Sequence, residues 1–248
     1  MVVAIIATCT VQINAQTADE IIDTYLENIG GKENLKKIES IKMTGIANAQ
    51  GMEIPIETVT TNDGKMYVEI NFQGEKIKQL ISNGDQVWTM NMMSRKMEEM
   101  PNDMSKMMVT EFKDFPNPFI EYKEKGYDAE FIGEDTEDGT EVLKVKLTKN
   151  PSTIDGEEVA NVSVYYFDAE NYVPIIVESE IPSGPAKGQK LKIPLSDYQE
   201  VDGVYFPFST AMQGIPMTYK TIELNPELDE KDFMLPKEEG TEDTKDKK

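Results

Sequence analysis

The chain has 248 residues, and 46 acidic side chains against 25 basic ones leave a net charge of −21, which argues against nucleic acid or anionic membrane surfaces as electrostatic partners. Histidine is absent and cysteine occurs once. That removes histidine-dependent triads, histidine general bases and histidine-containing zinc sites together, leaving an enzyme only carboxylate catalysis or oxygen-ligated metals.

Residues 1–16, MVVAIIATCTVQINAQ, carry no charge and contain an apolar run of about ten residues, the size of a signal-peptide core and too short to span a bilayer. The expectation is a secretory signal cleaved after Ala15, with a periplasmic product. IATC also resembles a lipoprotein-attachment box at Cys9, with Thr8 where a smaller residue is usual, so lipid anchoring is a second expectation. Cleavage after Ala15 leaves a mature chain without cysteine, whose stability must come from packing alone.

Thr17 and Glu20 have capping-box spacing, and Ile21, Ile22, Tyr25, Leu26 and Ile29 then recur with a helical period up to Gly30 and Gly31. KENLKKIES predicts a second, shorter helical piece. From Ile41 the pattern switches to period two. IPIETVTT, the turn NDG, KMYVEINF, QG, EKIKQLI, NG and DQVWTMNMM read as antiparallel hairpins in sequence order. Met66, Val68, Ile70 and Phe72 share one strand face, and Tyr67, Glu69 and Asn71 the other.

The alternation breaks over 95–115, where Met104, Met107, Met108 and Phe112 follow Pro101-Asn102 at helical spacing. Strands resume with AEFIGE, EVLKVKLTK, VSVYYFD, VPIIVESEI, QKLKIPLSDY, VYFPFSTAM and MTYKTIEL. The whole predicts an α+β chain of about eleven strands, with helices laid on one face of a large antiparallel sheet. The expected organisation is a leader at 1–16, a single domain at 17–236 and a charged, disordered tail at 237–248.

Eight of the fifteen methionines fall between Met90 and Met108. On the strand, Trp88, Met90 and Met92 project to one side, and on the helix Met104, Met107 and Met108 share a side. Three thioethers could hold Cu(I), although copper sites commonly add His or Cys. A methionine face on a strand opposed by one on a helix instead makes a deformable apolar wall. DTEDGTE lacks the spacing of a twelve-residue calcium loop and reads as a hairpin tip. Arg95, the one arginine, is a candidate clamp for carboxylate or phosphate, or an exposed corner residue.

Several stretches together resemble the LolA-like outer-membrane lipoprotein-sorting proteins, in a divergent branch: ADEIIDTYLENIGGKENLKKIESIKMTG, FDAENYVPI, DYQEVDGVYFPFS and IELNPELDEKDFMLP. The resemblance runs from about Ala18 to Pro236. It implies a half-open antiparallel barrel whose concave apolar face is covered by helices, and a soluble periplasmic carrier that lodges acyl chains there without a chemical step; no cofactor is expected, and a monomer is the expected state. Membrane-bound donor and acceptor proteins are implied partners. One departure is visible: the family's well-studied carriers place an arginine on an early strand, and residues 41–72 contain none, with Lys42 and Lys65 the nearest cations.

The expected ligand wall is therefore Met66, Val68, Ile70, Phe72, Trp88, Met90 and Met92 from the sheet, facing Met104, Met107, Met108 and Phe112 from the lid helix. An envelope sensor or interaction module with the same fold is the alternative, and a methionine-rich copper binder a more distant one.

Overall fold

The computed structural model describes residues 16–212 and 214–235, so the expected leader with Cys9 and the expected tail lie outside the described residues. Helix α1 (Ala18–Asn28) starts at the capping box: Thr17 Oγ1 accepts from the Glu20 amide, and the Glu20 carboxylate accepts from the Thr17 amide. Two otherwise orphaned donors are satisfied at the helix start. Its stripe of Ile21, Ile22, Tyr25 and Leu26 is buried. Helix α2 (Lys32–Leu35) is a single turn that buries Leu35.

Six strands follow as a meander: β1 (Ser40–Ala49), β2 (Met52–Thr61), β3 (Lys65–Phe72), β4 (Glu75–Asn83), β5 (Val87–Asn91) and β6 (Lys96–Glu99). Helix α3 (Asn102–Lys113) then interrupts the sheet. Seven more strands complete it: β7 (Asp128–Glu137), β8 (Thr140–Ile154), β9 (Glu157–Asp168), β10 (Pro174–Glu180), β11 (Lys190–Val201), β12 (Val204–Met212) and β13 (Ile215–Leu224). β13 returns to pair with β1, giving, among the described residues, one antiparallel sheet of 13 strands in the order β6-β5-β4-β3-β2-β1-β13-β12-β11-β10-β9-β8-β7.

This exceeds the eleven or so strands expected. Lys96–Glu99 lies where the sequence pattern breaks, because KMEE is too short and polar to announce itself. Pairing of Met90 with Met97 and Trp88 with Glu99 makes it a strand.

The sheet is open, with β6 and β7 as its edges, and it is strongly curled. β5 and β8 stand second and twelfth in the order, ten steps apart, which on a flat sheet is roughly 48 Å. A helix of 12 residues is only about 18 Å long, yet α3 lies against β5, β3 and β2 at one side and β8 at the other. The sheet must therefore form a trough with α3 across it.

Gly45 sits at a register shift between β1 and β13, where an added Cβ would lie 2.3 Å from the Thr218 carbonyl oxygen. The two strands approach this closely because no side chain intervenes. Gly30, with φ of 121°, is equally close to the β11–β12 turn: a Cβ there would lie 2.4 Å from the Gly203 oxygen.

The main core fills one half of the trough. Helix α1 and the 115–127 loop pack with Leu143, Val145, Leu147, Phe167, Phe206 and Ile222. Tyr25 meets Phe119 and Phe167 edge-on, with ring centroids 6.1 and 5.3 Å away, and its hydroxyl accepts from Asn117 at 2.8 Å. Burial pushes the Tyr25 phenol up to about 12, with the Asn117 hydrogen bond pulling the other way. The convex side carries a separate cluster of Val59, Tyr67, Ile81 and Trp88, sealed by Leu228 and Phe233 of the C-terminal segment. Lys78 ties that segment down through the Asp232 carbonyl, 2.7 Å away.

Candidate ligand-binding site

Strand register decides which side chains can share a wall, since residues paired across strands point to the same face. Val68 pairs with Thr58 and Leu80, and Leu80 pairs with Thr89. Met66, Val68, Ile70 and Leu80 accordingly form one cluster with Ala47, Ile56 and Met217. It lies on the concave side, because Ala47 shares its strand face with Ile41 and Met43, which pack against the α1 core. Met66, Ile70 and Leu80 remain half-exposed there.

Trp88 belongs to the other face. Tyr67 pairs with Ile81 and Ile81 with Trp88, which puts Trp88 in the convex cluster beneath Phe233. Met90, two residues on and paired with Met97, shares that side. Met92 stands in the β5–β6 turn with 76% of its surface exposed, and Phe72 ends its strand at 38%. The single wall expected from sequence is thus divided: Met66, Val68 and Ile70 face the trough, whereas Trp88, Met90 and Met92 do not join them. Alternation separates the two faces of a strand but does not say which one is concave. On β5 the trough-facing residues are Val87 and Thr89, which sequence reasoning missed. Arg95 occupies the exposed β5–β6 turn with φ of 53°.

Helix α3 is anchored by Ser105 and Val109, its two buried residues. The Ser105 hydroxyl accepts from the Val87 amide at 3.2 Å and from Gln86 Nε2 at 2.7 Å. Val109 packs at Gly64, in the β2–β3 turn. A second face of the helix carries Met104, Met107, Met108 and Glu111 at i, i+3, i+4 and i+7. Met104, Met107, Met108 and Phe112 are all half-buried. Met104 Sδ accepts from Ser183 Oγ at 3.4 Å, bridging to the β10–β11 loop.

Between this helix and strands β8, β9 and β10 lies an open cleft of about 350 Å³, bordered by Met107 and Glu111 and by Val159, Asn161, Ser163 and Ser179 among others. It is apolar at Met107, Val159 and Pro182 and lined elsewhere by serine hydroxyls, the Asn161 amide and the carboxylates of Glu111 and Glu180. Glu111 reaches across one end. One carboxylate oxygen accepts from Lys149 Nζ at 2.6 Å and the other from Asn161 Nδ2 at 2.6 Å.

Lys149, which lies behind the Glu111 carboxylate rather than on the cleft wall, is the unexpected neighbour of the site. Its side chain is 4% exposed and also lies 2.7 Å from Asp114 Oδ2, an oxygen that is buried without an aligned hydrogen bond. Asp114 Oδ1 accepts from Lys125 and from the Tyr127 hydroxyl, both at 3.1 Å. Burial, then the Asp114 charge, raises the Tyr127 phenol well above its ordinary range, so it remains a neutral donor. A readable signal existed: Leu143, Val145, Leu147 and Lys149 share one parity on β8, placing a cation on an otherwise apolar face.

No family model matches the sequence, and no curated protein matches it. Among solved structures the chain is similar to a LolA superfamily protein from Nitrosomonas europaea, with 14% identity, 89% of this chain and 98% of that chain covered, and a TM-score of 0.51. It is also similar to a DUF1329 family protein from Desulfovibrio piger, at 11% identity over 88% and 97% of the two chains with a TM-score of 0.49. An outer membrane lipoprotein-sorting protein domain from Vibrio parahaemolyticus matches at 16% identity over 86% and 94%, with a TM-score of 0.48. The fold is LolA-like: an open antiparallel half-barrel with helices on its concave side. No helix among the described residues is long and apolar enough to cross a membrane.

Proposed function

We propose that this protein is a non-enzymatic carrier of acylated cargo in the periplasm, holding acyl chains in the trough beneath α3. The observation that carries this reading is the cleft under the helix: the Met107 face stands over open space rather than lying sealed on the sheet. Met66, Val68 and Ile70 extend the same trough as a partly unburied apolar floor, and Met104, Met108 and Phe112 belong to the lid. Thioether side chains on both surfaces repack around differently shaped chains at small cost. Each Å² of acyl chain removed from water contributes about 25 cal/mol, so the cleft and floor can retain a chain without polar contacts. The LolA-like fold is consistent with such a role.

Native mass spectrometry after mild purification tests the reading. Co-purified lipid is expected on the wild-type chain and is lost in Met107→Asp, which places a carboxylate at the cleft. An empty protein that takes up no added fatty acyl ligand, or a Met107→Asp variant that retains lipid undiminished, would sink it. An empty chain recovered with a stable protein partner would favour an envelope sensor built on the same fold.

A further inference from the structure

Resting on the reading of α3 as a lid, we infer that the cleft takes an amphiphile with an anionic head, carboxylate or phosphate, and that Lys149 is the cation that receives it. Lys149 points from β8 into the trough with its ammonium almost wholly withdrawn from water. Its two anions differ in kind. Asp114 caps the end of α3, is 6% exposed, and is held in place by Lys125 and Tyr127. Glu111 lies one turn earlier on the lid, is 38% exposed, and borders the cleft.

Charge counting gives the consequence. Lys149, Lys125, Asp114 and Glu111 together are neutral. If the lid lifts Glu111 away, Lys149 keeps Asp114 at 2.7 Å, but the remaining three groups carry one net positive charge around a lysine that is 4% exposed. A largely buried cation that loses one of its two carboxylate contacts is left less well compensated, so the open lid favours a replacement anion at that position. Glu111 is the lid's own stand-in for the ligand head, and exchange of one carboxylate for another leaves the site neutral. Asn161, which now donates to Glu111, can donate to the incoming oxygen instead, and Ser163 and Ser179 line the same cleft. On a chain with a net charge of −21 the long-range field repels anions, so selection of an anionic amphiphile has to come from this buried cation.

The test measures competitive displacement of a fluorescent fatty acid from the full chain by palmitate, hexadecanol and lysophosphatidate. In the wild type palmitate is expected to bind about tenfold more tightly than hexadecanol, the scale of one charge-assisted hydrogen bond. Glu111→Gln removes the competing carboxylate and should tighten palmitate several-fold while leaving hexadecanol unchanged. Lys149→Met should bring the two to equal affinity. The order of palmitate and lysophosphatidate tells which head chemistry the site prefers, and either order supports an anion site. Equal affinity for palmitate and hexadecanol in the wild type overturns this inference and leaves the lid reading standing. Binding of neither overturns both. Should Lys149→Met fail to fold, Glu111→Gln decides alone, and an unchanged palmitate affinity there counts against the proposal.

Discussion

Asp19 ties the first turn of α1 to the loop that packs beside it. Its carboxylate accepts from Lys123 Nζ at 2.6 Å and from the Tyr122 hydroxyl, and it lies at the positive end of the helix dipole. The Lys123 hydrogen bond, then that of Tyr122, holds its pKa below the ordinary carboxylate value. A depressed folded pKa contributes stability that is fully present above the unfolded value of about 4 and is lost as pH falls through the folded one. Asp19→Asn should therefore lower Tm at neutral pH and make no difference at the acid end, where the wild-type group is itself protonated. Thermal melts of both chains against pH would show this, and a gap that persists undiminished into acid would rule the linkage out. Lys149 marks the limit of legibility at this scale. Its parity on β8 was readable, but its partners Glu111 and Asp114 are more than thirty residues away in sequence and meet it only because α3 crosses the trough.

Elements with strong local chemistry were the legible ones. The capping box and apolar stripe of α1 and the Pro101-Asn102 start of α3 lie where the pattern places them, because the determining contacts fall within one or two turns. β6 was hidden for the opposite reason: its four residues owe their conformation to β5 rather than to their own pattern. That hairpin also sorts the methionine cluster. Met93 is 97% exposed and Met92 76%, whereas Met104, Met107 and Met108 are half-buried on α3. Limited peroxide treatment followed by peptide mapping should convert Met92 and Met93 to sulfoxide well before the three helix methionines, since oxidation follows exposure. On the proposed carrier reading, added fatty acid should protect the helix methionines further while leaving the hairpin pair unaffected. Equal rates at all five positions would show that α3 does not shield its face.

For the whole molecule, a meander of antiparallel strands with helices on one side was evident from alternation and turn chemistry, and the LolA-like half-barrel from the resemblance. The degree of curl was not. It depends on close approaches such as Gly45 against the Thr218 backbone, and with it goes the choice of concave face that misplaced Trp88, Met90 and Met92. An open half-barrel also keeps two unpaired edges, and they differ. β6 offers four residues, while β7 offers ten, including Asp128, Glu130, Glu134, Asp135 and Glu137. Neighbouring copies could add strands to such an edge; Glu130, Asp135 and Glu137 are paired with Lys146, Lys144 and Lys192, and the surplus of acids over these lysines opposes that docking. The solution behaviour of the chain should accordingly be a matter of titration. Dynamic light scattering is expected to report single particles near neutral pH and growing assemblies as the pH approaches about 4, where carboxylates begin to take up protons. Replacing the acids of β7 by their amides should shift that onset upward, and an unchanged onset would place the association elsewhere. A barrel that does not close thus leaves an edge whose excess of acids should be what discourages a second copy from extending the sheet.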